Sequence, residues 1–300
     1  MTQTMRTIAC VIPTHLRGAY LTEAVESALA QTLAPQVVIV VSDVKDDDAR
    51  SAITSIANST EIDVRYVERL EGPQGASGSR NAGAAIAGTD ILAFLDDDDL
   101  WEPTHLERAL SVLQGDGVDL SVPWMIEFSE NHARDWHAPE PGLSFEEVVA
   151  QNPGVTGSGI VVTRRAFEAL EGFDPKLPVK NDTDFLARFL QAGYDYGVVR
   201  ERLVRQRQHQ LGQLTGVTER RAAGTEAYIA KHSKSLSPKN RRLLVQSVHR
   251  IRSHSAETLP RRLYHLARVA TLHSPLVLFR KIVTGREKVM ARVRGGRDGN

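Results

Sequence analysis

Only one cysteine, Cys10, stands in 300 residues. That excludes a disulfide framework and any cysteine-built zinc centre, and it suits a reducing compartment. Long hydrophobic runs are missing too. No stretch approaches the roughly 18 consecutive apolar residues of a membrane-spanning helix, so none is expected. The opening MTQTMRTIACVIP holds a short apolar run that stops at Pro13, so no secretory leader is expected. Serine-nucleophile chemistry of the GxSxG kind has no matching motif. Net charge is absent as well, but that zero is a cancellation. Residues 1–200 carry 15 Lys and Arg against 31 Asp and Glu, whereas residues 201–300 carry 22 against 6. An acidic body precedes a basic tail.

What is present is ordinary for a globular chain: 41% apolar and 25% charged residues. The length corresponds to about two domains at roughly 150 residues each, or one domain with an extension. Short β-branched runs at 8–12, 37–41, 64–67, 91–95 and 120–122 predict strands, separated by helical patterns. In the first of these, Leu21, Val25, Ala28 and Leu29 form one apolar stripe. Such alternation predicts an α/β fold with a mainly parallel sheet and helices on both faces. Residues 123–160, with Trp124, Trp136 and several prolines, read as a polar loop region. A strand is expected at 159–163, helices at 164–171 and 182–192, and a turn at Gly172-Phe173-Asp174-Pro175. Beyond 216 the pattern is helical and basic, with breaks at Pro260 and Pro275.

Ligands of open α/β sheets bind beyond the carboxyl ends of the strands. Polar clusters follow four of the predicted strands: Pro13-Thr14-His15, Ser42-Asp43, GPQGASGSRNAG and Asp96-Asp97-Asp98-Asp99. Four successive carboxylates repel one another unless cations or donors offset them. A magnesium or manganese ion, which takes one or two carboxylates along with waters and substrate phosphates, would do so. If the strand geometry continued, Asp96 and Asp98 would share a side. A solvated acidic turn is the plainer alternative. The glycine-rich loop allows close backbone approach at a helix start, and Arg80 adds a planar cation suited to phosphate. This loop is neither a Walker A sequence nor a GxGxxG fingerprint, and small residues also serve helix–sheet packing. Asp43 could accept from a base or ribose, or simply cap a turn. Asp182 and Asp184 open a helix, where acids serve as caps or, within reach of a substrate hydroxyl, as a general base. His209 alone carries little weight.

Taken in order and spacing, IPTHLRGAYLTEAVESALAQT, VVIVVSD, GASGSRNAG, FLDDDDLW and GFDPKLPVKNDTDFLARFLQAGYD resemble family 2 glycosyltransferases of the GT-A fold. The resemblance covers roughly residues 6–215. It implies residues 1–215 as the catalytic domain, with 1–122 a nucleotide-sugar half and 123–215 an acceptor half, and 216–300 as a basic helical extension. It also implies inverting transfer from a nucleotide-sugar, UDP- or dTDP-linked, to a saccharide, lipid-linked or small-molecule acceptor. By position, Pro13, Thr14, Asp43, Arg80, Asp96 and Asp97 fall in the donor site, with Asp98 and His209 on Mn2+ or Mg2+. Asp182 falls at the catalytic base and Arg207 beside His209 at the diphosphate. Asn181 stands where members often carry glutamate, which leaves Asp184 a rival base.

The tail lies outside the resemblance. It is expected to be a lid or subunit contact, or a peripheral attachment to the inner face of the cell membrane. Nucleic-acid binding is not expected, since few aromatics accompany the charge. A cytoplasmic enzyme follows. The alternatives are a magnesium-dependent phosphotransferase or phosphatase, which would place its DxD motif after an early strand, and a non-catalytic sugar-nucleotide-binding protein.

Overall fold

The structure, a computed structural model, describes residues 6–129, 132–208 and 217–272. The chain divides into two compact units, Met1–Gln213 and Leu214–Asn300. The first unit opens with β1 (Ile8–Thr14), α1 (Gly18–Leu29), β2 (Val37–Ser42), α2 (Asp47–Ala57), β3 (Asp63–Glu68), α3 (Ala76–Ala87) and β4 (Ile91–Phe94). The four strands are those expected, and they pair in parallel in the order β3-β2-β1-β4. β1 and β2 are buried along their whole length. Continuous apolar runs suit strands covered on both faces. Alternate residues then serve two cores. Cys10, Ile12, Val38 and Val40 pack with Leu21, Ala24, Val25 and Ala28 of α1. Ala9, Val11, Ile39 and Val41 pack with Ala84 and Ala87 of α3 on the other face. α3 lies so close that a Cβ at Gly83 would stand 2.4 Å from Val11 Cγ1. Burial pushes the Cys10 thiol far up, which leaves it inert.

The second half of the unit runs β5 (Leu100–Trp101), α4 (His105–Gly115), β6 (Leu120–Phe128), β7 (Ala133–Asp135), α5 (Phe145–Val148), β8 (Val161–Thr163), α6 (Arg164–Ala169), α7 (Asn181–Gln191) and β9 (Tyr196–Arg207). These strands extend one sheet in the order β3-β2-β1-β4-β8-β6-β9-β5, with β7 beside β6. β8 lies antiparallel between β4 and β6, whereas β6 and β9 run parallel. The sheet is mixed and mainly parallel, with helices on both faces.

One expectation fails here, and one strand was not foreseen. Trp124 is not in a polar loop: β6 continues through it, with a register shift against β9 on either side of the residue. Long-range pairing supplies what local pattern does not. β9 itself has no counterpart in the sequence reading. Its YGVVRERLVRQR is rich in arginine, and the guanidiniums of Arg202, Arg205 and Arg207 lie over the rings of Trp124 and Phe128.

Within the second unit α8 (Glu219–Lys231), α9 (Pro238–Ser255) and α10 (Leu259–Leu272) follow one another. The break expected at Pro260 falls in the first turn of α10, where proline is tolerated. Pro275 lies outside the described residues. Among the described residues no helix is long and apolar enough to cross a membrane.

His105, at the start of α4, is fully buried against Trp101, and neither ring nitrogen has a partner among the described residues. Burial pushes its pKa from 6.5 down to about 3. Between those values the unfolded chain takes up a proton that the folded chain refuses, so stability falls as pH drops through this window. His105→Phe keeps a ring against Trp101 and removes both orphaned nitrogens. It is expected to raise stability by about 1–2 kcal/mol at neutral pH, and by more at pH 5. Thermal unfolding of both proteins at the two pH values checks this. An equal gain at both would refute the protonation argument.

Candidate active site

Thr14 ends β1, and its hydroxyl donates to Asp97 Oδ2 at 2.7 Å, with the His15 N–H on the same oxygen at 3.3 Å. Asp43 follows β2. Its Oδ1 meets His15 Nδ1 at 2.6 Å, and its Oδ2 accepts the Gly75 N–H at 2.6 Å. Gly75 caps α3 with φ +131, a conformation that favours glycine. The ends of β1 and β2, the start of α3 and the segment after β4 are thus tied into one rim. Pro13 is buried in β1 opposite Val41 and serves to place Thr14 there.

The acidic run is not a continued strand. The Asp99 N–H donates to the Asp96 carbonyl at 3.1 Å, which closes a turn. Asp96 and Asp98 therefore do not share a strand face; the four carboxylates fan out. Asp96 pairs with Arg80, Asp97 with Thr14, Asp98 with Arg17 at 3.1 Å, and Asp99 with Ser158 Oγ at 2.6 Å. Ser158 also accepts the Asp96 N–H at 3.0 Å. From β9, the Arg207 N–H reaches Asp99 Oδ1 at 3.0 Å, and its guanidinium donates to the Asp98 carbonyl at 3.0 Å. Burial, with Asp98 and Asp96 adding repulsion, pushes Asp97 up to about 7, and burial drives Asp99 upward as well. Four carboxylates crowd one turn, and a hard dication suits such a set. Among the described residues no three His, Cys, Asp or Glu side chains gather into a metal cage. An ion here would take ligands from beyond this set, substrate phosphates and water among them.

Arg80 is buried, its Nε without a partner among the described residues, with its guanidinium over the Phe173 ring at 5.2 Å. Phe173 sits in a cluster with Phe94, Phe167 and Phe185. That cluster fixes α7 beside α3, and Asn181 Nδ2 donates to Ser77 Oγ at 3.0 Å between them. Lys180, just before α7, takes φ +61. For a lysine that strain costs on the order of 1–3 kcal/mol, and such strain gathers at functional sites. Asp182 follows it, half-buried. Its Oδ1 accepts from the Thr183 N–H at 2.6 Å, and Oδ2 takes no hydrogen bond among the described residues. Burial raises its pKa, while the Arg80 charge opposes the shift. Asp184 is fully buried and bound to Arg188 at 2.8 Å, whose guanidinium also holds two carbonyls. This gives Asp184 a structural task.

Thr14, Asp43, Arg80, Asp96, Asp97 and Asp98 thus occupy one rim, with Asp182 near Arg80. His209 lies outside the described residues. Sequence reasoning passed over Arg17 and Ser158, and it gave Asp99 no task of its own within the acidic cluster. Ser158 had one signal, a small residue in TGSG beside a predicted strand, and Arg17 followed a polar cluster. His137 was also missed: it feels the Asp182 charge, and its ring packs on Gly154.

A family model described as glycosyl transferase family 2 matches residues 9–169. An uncharacterized glycosyltransferase of Nostoc sp. is 33% identical over 111 residues, 37% of this chain and 34% of that one. An uncharacterized glycosyltransferase of Haemophilus influenzae is 29% identical over 61% of this chain and 62% of its own. The succinoglycan biosynthesis protein ExoU of Rhizobium meliloti is 29% identical over 66% of this chain and 61% of its own. These alignments therefore span between 34% and 62% of those relatives' length. Among solved structures, S. aureus TarS 1–349 in complex with UDP-GlcNAc has a TM-score of 0.65 at 14% identity, covering 89% of this chain and 81% of that one. The mannosyltransferase PcManGT of Pyrobaculum calidifontis, in complex with GDP-Man and Mn2+, has 0.60 at 17% identity, covering 98% and 88%. Both likenesses concern the fold.

Proposed function

The chain belongs to glycosyl transferase family 2, and from that premise we propose that it moves a sugar from a nucleoside diphosphate donor to an acceptor hydroxyl, inverting the anomeric centre. The observation that carries this reading is the convergence of Asp43, Thr14, Arg80 and the Asp96–Asp99 turn on one rim, with the strained start of α7 beside it. A UDP- or dTDP-sugar is the favoured donor. A saccharide in polysaccharide assembly is the favoured acceptor, in keeping with the name of the ExoU relative. The reaction is assigned to the cytoplasm, which suits a chain with one buried cysteine.

Each residue has a physical task. Asp43, braced by Gly75, presents carboxylate oxygens to the nucleoside. Thr14 orients Asp97 and so fixes the acidic turn. Arg80 lends positive charge where the departing diphosphate gains negative charge. Asp98, with Asp96 in support, would hold Mn2+ or Mg2+, and that ion would neutralise the diphosphate as it leaves. Asp182 Oδ2 takes the acceptor proton from the side opposite the leaving group. A single displacement needs no covalent nucleophile.

Calorimetric titration with UDP, dTDP and GDP, each with and without Mn2+, tests the reading. Tight binding of one diphosphate, dependent on the metal, is expected. No binding of any under either condition would overturn it.

Gly157 offers a second test. A Cβ there would stand 2.2 Å from an Arg80 terminal nitrogen and 3.1 Å from Asp96 Oδ1. Only the end of a long side chain must move, so Gly157→Ala should fold. The move parts Arg80 from Asp96, and nucleotide affinity is expected to fall about tenfold, near the worth of a charged hydrogen bond. Unchanged affinity would remove Arg80 from the donor site.

A further inference from the structure

Within the second unit, Arg252 of α9 fastens α8 by holding Glu219 at 2.6 Å and Glu226 at 2.7 Å. α10 in turn meets α9 along one side only. His265 Nδ1 lies 2.8 Å from His249 Nδ1, and Gln246 reaches the Val269 carbonyl at 3.4 Å. Another face of α10 carries an apolar stripe. Leu259, Leu263 and Leu266 are 67%, 55% and 45% exposed, and Ala270 is exposed with them. Their spacing, i, i+4, i+7 and i+11, sets all four on one helix face. Arg262 borders the stripe, whereas Tyr264 lies further round the helix, its ring centroid 6.2 Å from that of His249 on α9. Arg261 and Arg268 lie further round on the polar face.

A helix with leucines down one exposed face and arginines beside them needs a partner that is apolar within and anionic at its surface. Residues 217–272 hold twelve Lys and Arg against three Glu, and Arg252 already occupies two of those glutamates. A second copy would bring like charge to like charge. Residues 273–300, themselves seven basic to two acidic, would do the same. A nucleic acid would leave the leucines in water.

We propose that α10 lies in the surface of an anionic lipid bilayer. Leu259, Leu263, Leu266 and Ala270 enter the acyl boundary, and Arg262 meets headgroup phosphates. The remaining basic residues of the unit draw it to the negative leaflet, an attraction that salt weakens. The inference stands apart from the sugar-transfer reading, since it is tested without substrate.

The test is flotation of the full chain with vesicles of phosphatidylcholine alone and with added phosphatidylglycerol. Binding to the anionic vesicles is expected to be at least about tenfold stronger, and to weaken as salt rises. Leu263→Glu/Leu266→Glu changes exposed positions only. It is expected to cut vesicle binding about tenfold or more, with far-UV circular dichroism and nucleotide binding unchanged. Arg261→Glu/Arg262→Glu should lose the preference for anionic lipid. No preference in the wild type, or undiminished binding by the leucine variant, would overturn the proposal. So would light scattering that shows a dimer which the leucine variant turns into monomers.

Discussion

Asp182→Asn is expected to lower kcat about a thousandfold while nucleotide affinity stays within about twofold of wild type, the signature of a lost general base. The substitution keeps the size of the side chain and its bonds to Thr183, so the start of α7 should hold. What it removes is proton affinity at Oδ2. Burial raises the Asp182 pKa above that of an ordinary aspartate, which makes it a better proton acceptor at neutral pH. The base must be ionised to act, so wild-type kcat should fall as pH drops through that raised value. The variant should show no such acid limb. If kcat falls by less than about tenfold, the base lies elsewhere. Asp184→Asn is the control. Its carboxylate is buried against Arg188, so the variant should lose thermal stability rather than reveal a distinct pH limb.

Much of this corner was legible in the sequence because its signals are local. A β-branched run followed by a polar cluster marks a strand end, and four such clusters pointed to one rim. β1 to β4 and the residues Thr14, Asp43, Arg80 and Asp96 to Asp98 came from that logic. What stayed hidden depends on contacts distant in sequence. Ser158 braces the Asp96–Asp99 turn from about sixty positions away. Arg207 does so from β9, a strand that exists because β6 pairs with it and because aromatic rings cover its arginines. The acidic run itself misled. Strand alternation predicted Asp96 and Asp98 on one side, but the chain turns at Asp96 and sends each carboxylate to a different partner. Mutual repulsion gives the reason, since separated carboxylates with separate donors are less costly than two on one face.

That separation shapes the other large expected effect. Asp98→Ala should abolish the influence of Mn2+ on nucleotide binding and lower kcat/KM by about a thousandfold or more. Of the four carboxylates, Asp96, Asp97 and Asp99 each have a partner within the protein's frame: Arg80 from α3, Thr14 from β1, Ser158 before β8. Asp98 meets Arg17, an ion pair at 3.1 Å with both side chains partly open to solvent. A pair that reaches solvent is screened by it, so a dication can compete with Arg17 for the carboxylate. Arg17→Ala should therefore keep or strengthen the metal effect, whereas Asp98→Ala loses it. Thermal unfolding gives a readout apart from turnover: Mn2+ with nucleotide should raise Tm in the wild type and in Arg17→Ala, but not in Asp98→Ala. Should Asp98→Ala retain that rise, Asp98 is not the ion's main ligand, and if Asp96 takes that place, breaking the Arg80 pair is part of donor binding rather than a defect.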